Sequence, residues 1–174
     1  PPFQEDLPMR ILNKIQDTAS SYCQANVWMW KDPTLSSYSP QRQKQRFYLV
    51  ELYFTTNGDA WFHTDHWLSH SVSECQWFNP NSTTQVSGWN PGMIPQSTCD
   101  DQGNLLVLNL TSNNLQGILM DSWQINPILK IFDVSNNALE GAPPAITTDF
   151  KRLQVFVISN NQFQGQLTGG GGFE

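Results

Sequence analysis

Imidazole, thiolate and carboxylate are the groups that hold zinc or move protons, and one stretch gathers them: His63, Asp65, His66, His70, Glu74 and Cys75. Their spacing fits neither the His-Glu-x-x-His helix of a zinc hydrolase nor a paired Cys-x-x-Cys site. Histidines on the surface of a polar loop are the expectation here. Asp133 stands alone among hydroxyl and amide residues. One carboxylate without a partner is a poor acid–base site, but it suits a hydrogen bond or salt bridge to a ligand. The chain carries no Gly-x-Ser-x-Gly, no phosphate loop and no dinucleotide fingerprint. No catalysis, metal or cofactor is therefore expected. Three cysteines, Cys23, Cys75 and Cys99, fit one disulfide plus a free or intermolecular thiol. Cys23 reads either as a small buried hydrophobe or as the thiol of an intermolecular disulfide. Asn81 and Asn109 each open an Asn-x-Ser/Thr sequon, which becomes a glycan acceptor only in a secreted protein.

The elements that would position these groups have to be built by a chain of 174 residues, enough for one medium domain. It is 39% hydrophobic and 12% aromatic but only 14% charged. Asn, Gln, Ser and Thr fill the gap, which suits a secreted or glycosylated surface. The net charge of -6 excludes a phosphate-binding stripe, and nucleic acid is not an expected partner. The densest basic group, Arg42, Lys44 and Arg46, reads as the solvated face of a helix. No apolar run approaches the ~18 residues of a membrane span, so any anchor would lie outside this sequence.

A repeat dominates the C-terminal third. Leu105-x-x-Leu108-x-Leu110-x-x-Asn113-x-Leu115-x-Gly117 is followed by Leu129-x-x-Phe132-x-Val134-x-x-Asn137-x-Leu139-x-Gly141. Leu153-x-x-Phe156-x-Ile158-x-x-Asn161-x-Phe163-x-Gly165 is the third copy. The asparagines are 24 residues apart both times. The alternating pair such as Leu108 and Leu110 predicts a short strand with one buried face. No single copy can bury its apolar edge, so the copies must stack on a shared core. A buried asparagine amide where the chain leaves the strand can satisfy backbone groups that would otherwise cost about 1–3 kcal/mol each. Glycine permits the bend that follows, and Trp123 and Phe150 supply apolar bulk on the return.

Upstream, Ala19 to Trp30 and Gln41 to Thr55 suit helices, the second introduced by Ser39-Pro40 and broken at Asn57-Gly58-Asp59. Leu7, Ile11, Leu12 and Ile15 suit a further short helix. Trp61, Trp67, Leu68 and Trp77 follow the break.

These three segments resemble leucine-rich repeats, and the 24-residue Leu-x-Gly form resembles the plant-type subclass. That subclass continues Gly-x-Ile-Pro. Here the corresponding stretches are Gly117-Ile118-Leu119-Met120, Gly141-Ala142-Pro143-Pro144 and Gly165-Gln166-Leu167-Thr168, and only the middle one has the proline. Thr56-Asn57-Gly58-Asp59-Ala60-Trp61, His66-Trp67-Leu68, Glu74-Cys75-Gln76-Trp77 and Cys99 resemble the N-terminal cap of the same proteins. Together with Trp30-Lys31-Asp32-Pro33 and Gln45-Arg46-Phe47, this wording is similar to receptor-like leucine-rich-repeat proteins of diatoms and related algae. The resemblance implies a Cys75–Cys99 disulfide, with residues 79–98 as a polar insertion between the two cysteines. A loop of that size contributes about 3 kcal/mol in the chain-entropy account.

The expected fold is an α/β solenoid: a helical, disulfide-bonded N-terminal cap, then about three 24-residue repeats forming a short parallel sheet. The expected organisation is a helical extension over 1–38, a cap over 39–104, repeats over 105–167 and a Gly-rich tail over 168–174. Four glycines cannot cover an apolar edge, so either the chain is incomplete or something else covers that edge. In a leucine-rich repeat the side chains between the buried strand positions face the concave surface. They are Val107, Asn109 and Thr111, then Ile131, Asp133 and Ser135, then Val155, Val157 and Ser159. The column Val107, Ile131, Val155 reads either as an exposed protein-binding strip or as ordinary β-branched strand residues. The expected function is extracellular or cell-surface recognition of a protein, a peptide or a cell-wall glycan. The alternative is a structural subunit docked through the cap, Cys23 or the open repeat end.

Overall fold

A computed structural model describes residues 20–77, 97–119, 128–143 and 152–166. Trp123, Phe150, Asn81, the short helix expected over 7–15, the polar insertion up to residue 96 and the tail from residue 168 lie outside the described residues.

Two helices begin the described chain. Helix α1 spans Ser21–Trp30 and is opened by Ser20, whose hydroxyl accepts from the Cys23 N–H at 3.2 Å. Helix α2 spans Pro40–Thr55, with Pro40 in the first turn and the Ser39 hydroxyl accepting from the Arg42 N–H. It stops at Asn57, which takes the left-handed conformation at φ 57°. A short 3-10 turn, Gly58–Ala60, follows immediately. A side chain at residue 58 would collide with the Tyr53 ring, so only glycine fits beneath it.

The helices enclose an aromatic cluster. Trp61 meets Trp67 at 4.8 Å and Tyr53 at 5.2 Å, and Trp77 meets Trp67 at 5.4 Å and Trp28 at 5.7 Å, mostly edge to face. The polar tips are satisfied: Trp28, Trp61 and Trp77 donate to the carbonyls of Leu68, Thr56 and Val72. The Tyr53 hydroxyl donates to Asp59 at 2.8 Å. Burial, then this bond, pushes the Tyr53 phenol up to about 12.

The basic group of α2 is not a solvated face. Lys44 is exposed, but Arg46 is fully buried and Arg42 largely so. Arg46 bonds Asp32 and Glu74 at 2.9 Å each and the Ser69 carbonyl at 2.8 Å. Its guanidinium lies beside the rings of Trp77 and Trp28, 4.9 and 5.0 Å from their centroids. Arg42 grips the same Glu74 through two bonds of 2.9 and 3.1 Å. The solvated reading failed because the partners come from residues 32 and 74, beyond the reach of local pattern.

Burial alone would raise the Asp32 and Glu74 carboxyls. For Asp32, the Thr34 hydroxyl and N–H and then Arg46 outweigh it; for Glu74, Arg42, its own N–H and then Arg46 do so. Both therefore sit below the ordinary carboxylate range, and so does Asp100. Folded-state values below unfolded ones mean stability that is complete above about pH 4 and lost as pH falls through the lower folded values. The urea midpoint should accordingly be flat from pH 7 to about 5 and drop steeply below 4. A midpoint unchanged at pH 3 would rule out these ion pairs as a source of stability.

The repeats form two small parallel sheets. Strands β1 (Val107–Asn109), β3 (Ile131–Asp133) and β5 (Val155–Val157) pair in that order, and β2 (Gln116–Ile118) pairs with β4 (Ala138–Glu140). Val107 lies opposite Ile131 and Ile131 opposite Val155, so the first sheet keeps the 24-residue register of the sequence. Leu108, Leu110, Leu115, Phe132, Val134, Leu139 and Leu153 share one apolar core with the helices. Phe132 and Phe156 stack at 5.8 Å across adjacent repeats.

The helical layer and the first repeat are locked by specific bonds. Gln45, buried on α2, accepts from the Leu105 N–H at 2.7 Å and donates to the Gly103 carbonyl at 2.9 Å. Residues 56–63 then lie along the first repeat. The Gln116 N–H reaches the Thr56 carbonyl, the Phe62 N–H reaches Asn113, and the Asn114 amide reaches Ala60. Gly117, at φ +97°, sits so close that a side chain would meet the Thr55 carbonyl at 2.6 Å. Cys75 and Cys99 are joined, with Cα atoms 5.8 Å apart, closing 24 residues of chain. Cys23 is free and half-buried.

Candidate functional site

Each repeat leaves its strand through an asparagine, and the amide of that residue performs the expected task. Asn137 Oδ1 accepts from the N–H groups of Asn113 and Leu115 at 2.9 and 3.0 Å. Its Nδ2 donates to the carbonyls of Leu110, Val134 and Ser135 at 2.8, 2.9 and 3.1 Å. Asn161 repeats the arrangement one level on, accepting from Leu139 and donating to Val134 and Ile158. Asn113 does it one level back, accepting from the His63 N–H at 2.6 Å. One amide thus ties two repeats, which fixes the strand positions that alternate with the core.

The alternating positions are the nine expected on the concave face, and the structure treats them unequally. Val107, Asn109, Ile131, Asp133 and Ser135 are buried, Ile131 completely. Thr111, Val155 and Val157 are half-buried and Ser159 is exposed. An open apolar column over all three repeats is therefore not what the fold presents; only its third member, Val155, keeps access to solvent. Asp133 is also less free than expected. Its Oδ1 accepts from both the N–H and the hydroxyl of Ser135, at 2.8 and 2.6 Å. Asn109 makes the same turn with the Thr111 N–H at 3.0 Å. Asn109, which opens the second sequon, is buried at 3% exposure.

Beside this face runs a row that the sequence reading missed. Ser112, Asn136 and Asn160 are exposed, one per repeat, and all three take the left-handed conformation at φ 55–56°. Asn160 Nδ2 donates to Asn136 Oδ1 at 2.8 Å, and the Thr111 and Ser135 hydroxyls meet at 3.0 Å alongside. The doublets Asn136-Asn137 and Asn160-Asn161 carried the signal, since asparagine tolerates a positive φ better than other side chains.

The histidines do not converge. His63 and His66 are exposed. His70 departs from the surface reading: its ring lies 4.1 Å from that of Trp28 and its Nε2 is 3.0 Å from the Trp28 carbonyl. Among the described residues no group of His, Cys, Asp or Glu is placed to hold a metal ion. No helix there is long and apolar enough to cross a membrane.

Residues 104–124 match the family model of the Leucine Rich Repeat. This segment is similar to a leucine-rich repeat. It contains β1, Asn113 and β2, the parts that the strand register and the asparagine amides reproduce in the two following leucine-rich-type copies. No curated protein and no solved structure matches the chain at a significant level.

Proposed function

We propose that this chain is a non-catalytic recognition module: a short solenoid of plant-type leucine-rich repeats behind a disulfide-bonded N-terminal cap, binding a protein or peptide. The match over residues 104–124, on a unit stacked three times in register, carries this reading, because such repeats serve as protein-interaction surfaces. The working surface is the third repeat, where Val155, Val157 and Ser159 keep solvent access, together with the rim of Ser112, Asn136 and Asn160. The Cys75–Cys99 bond supports an oxidising location, outside the cell or at its surface. The resemblance of the cap wording to algal receptor-like proteins, read from the sequence alone, points the same way. A cell-wall glycan is the second ligand class, supported by the amide and hydroxyl character of the rim.

A structural-subunit reading draws on one observation. Val27 and Trp30 share a side of α1 and are 45% and 82% exposed, a large apolar presence on an uncharged helix.

The test combines intact mass of natively purified protein with partner binding by Val157→Arg. The expected results are a mass two hydrogens below the reduced value, any glycan at Asn81 and none at Asn109, and binding weakened about tenfold or more at unchanged melting temperature. Three free thiols would sink the oxidising location. Unchanged binding by the variant would remove the third-repeat surface and leave the α1 face as the docking side.

A further inference from the structure

The rim beside the concave face has a chemistry of its own. Ser112, Asn136 and Asn160 stand one per repeat, about 4.8 Å apart by the spacing of paired strands. The turns that carry them, residues 111–114, 135–137 and 159–162, hold no charged side chain, in a chain of net charge -6. The main chain of the row is already engaged. The Ser112 N–H donates to the Ser135 carbonyl and the Asn136 N–H to the Ser159 carbonyl, at 3.0 Å each. The side chains are held in place but not used up. Asn160 Nδ2 donates to Asn136 Oδ1 at 2.8 Å, and Asn136 Nδ2 faces the Thr111 and Ser135 hydroxyls at 3.4 Å. Among the described residues nothing bonds the Asn160 Oδ1 or the Ser112 hydroxyl. One aromatic ring stands at the head of the row. Phe62 is 70% exposed, and its N–H bonds the carbonyl of Asn113 at 3.2 Å, one residue past Ser112.

We propose that this rim binds an extended, uncharged, β-linked polysaccharide lying along the row, with Phe62 as its apolar platform. The proposal rests on the reading of the repeats as a recognition surface and names the ligand of the rim. A pyranose presents hydroxyls around its edge and C–H groups on its faces. The planar amides of Asn136 and Asn160 each set a donor beside an acceptor, which two neighbouring hydroxyls of one sugar can answer together. The Ser112 hydroxyl adds a single donor and acceptor. The C–H face of a sugar packs on an exposed ring, whose own face carries partial negative charge. An equatorially linked chain runs straight, so successive sugars meet successive levels of the row. A coiled, α-linked chain would turn away after the first contacts. Uronate or sulfate groups would find no Lys or Arg in the row and a protein of like net charge. The Asn160–Asn136 bond orders both amides before the ligand arrives, which lowers the entropy lost on binding. A peptide is the poorer occupant here. The row has no free main-chain N–H at Ser112 or Asn136 for an added strand, no charge, and one exposed apolar side chain.

Cellohexaose is the probe, added to the intact protein while the side-chain amide signals of Asn136 and Asn160 are followed by nuclear magnetic resonance. Saturable shifts of both at millimolar sugar or below are expected, with no response to maltohexaose or polygalacturonate. Phe62→Ala should weaken binding by about tenfold. Asn136→Gly and Asn160→Gly should each weaken it by about three- to tenfold. Glycine accepts the positive φ at both positions, so these variants keep the fold. Val157→Arg, which tests the concave face of the third repeat, should leave cellohexaose binding unchanged. No shift at millimolar cellohexaose, or equal binding of maltohexaose or polygalacturonate, would overturn the proposal and leave protein recognition by the third repeat standing. Binding that survives the Phe62 and asparagine variants but is lost in Val157→Arg would also overturn it, by moving the sugar to the concave face. A protein partner that is lost in Phe62→Ala and Asn136→Gly, with cellohexaose inert, would assign the rim to protein instead.

Discussion

Replacement of Arg46 by methionine is expected to lower the unfolding free energy by about 3–5 kcal/mol, the usual cost of leaving buried carboxylates without their cation. The stem of methionine fills much of the same space, so lost volume is a small part of this. What is lost is a charge that two buried acids share. Asp32 keeps the Thr34 bonds and Glu74 keeps Arg42, but each loses a 2.9 Å partner while remaining out of water. Arg42→Met should cost less, about 1–2 kcal/mol, because Arg42 is 21% exposed and Glu74 retains Arg46. Urea unfolding followed by tryptophan emission measures both, since Trp61, Trp67 and Trp77 lie in the surrounding core. A loss under about 1 kcal/mol for Arg46→Met would mean that the aromatic cluster holds the helical layer without the ion network.

Asn137→Leu should cost about 3 kcal/mol, from two orphaned N–H donors at about 1–3 kcal/mol each. Five bonds depend on this amide, two as acceptor and three as donor, and they span two repeats. Asn161→Leu should cost roughly half as much, because one N–H donor depends on it and its surroundings are wetter. Hydrogen exchange should locate the damage: Asn113 and Leu115 amides should open in Asn137→Leu, and the Leu139 amide in Asn161→Leu. Equal losses at the two positions would refute the bond count as the source of the cost.

Much of the fold could be read from residue spacing because the causes are local and repeated. Leu108 and Leu110 alternate, Asn113 returns as Asn137 and Asn161, and the strands pair at that interval. Ser39 and Pro40 announce α2, and Asn57-Gly58 ends it. The Cys75–Cys99 bond came from a resemblance in the cysteine and tryptophan wording and was found as implied. What could not be read is long-range burial. Arg46 looks like any surface arginine until residues 32 and 74 arrive beside it. Val107 and Ile131 have the right period for an open column, yet period fixes which way a side chain faces, not what lies over it. His70 shows the same limit, since its partner Trp28 is 42 residues away.

The junction between the helices and the first repeat has a consequence for how such a molecule changes length. Thr56 and His63 present to the first repeat the same kind of carbonyl and N–H that one repeat presents to the next. At the turn the junctions are therefore of one type, and a duplicated block of 24 residues would meet like neighbours there above and below. The protein can grow or shrink in steps of about 4.8 Å, the strand spacing, without inventing a new boundary. Reach becomes a quantity that copying error can tune, separately from the chemistry at either end.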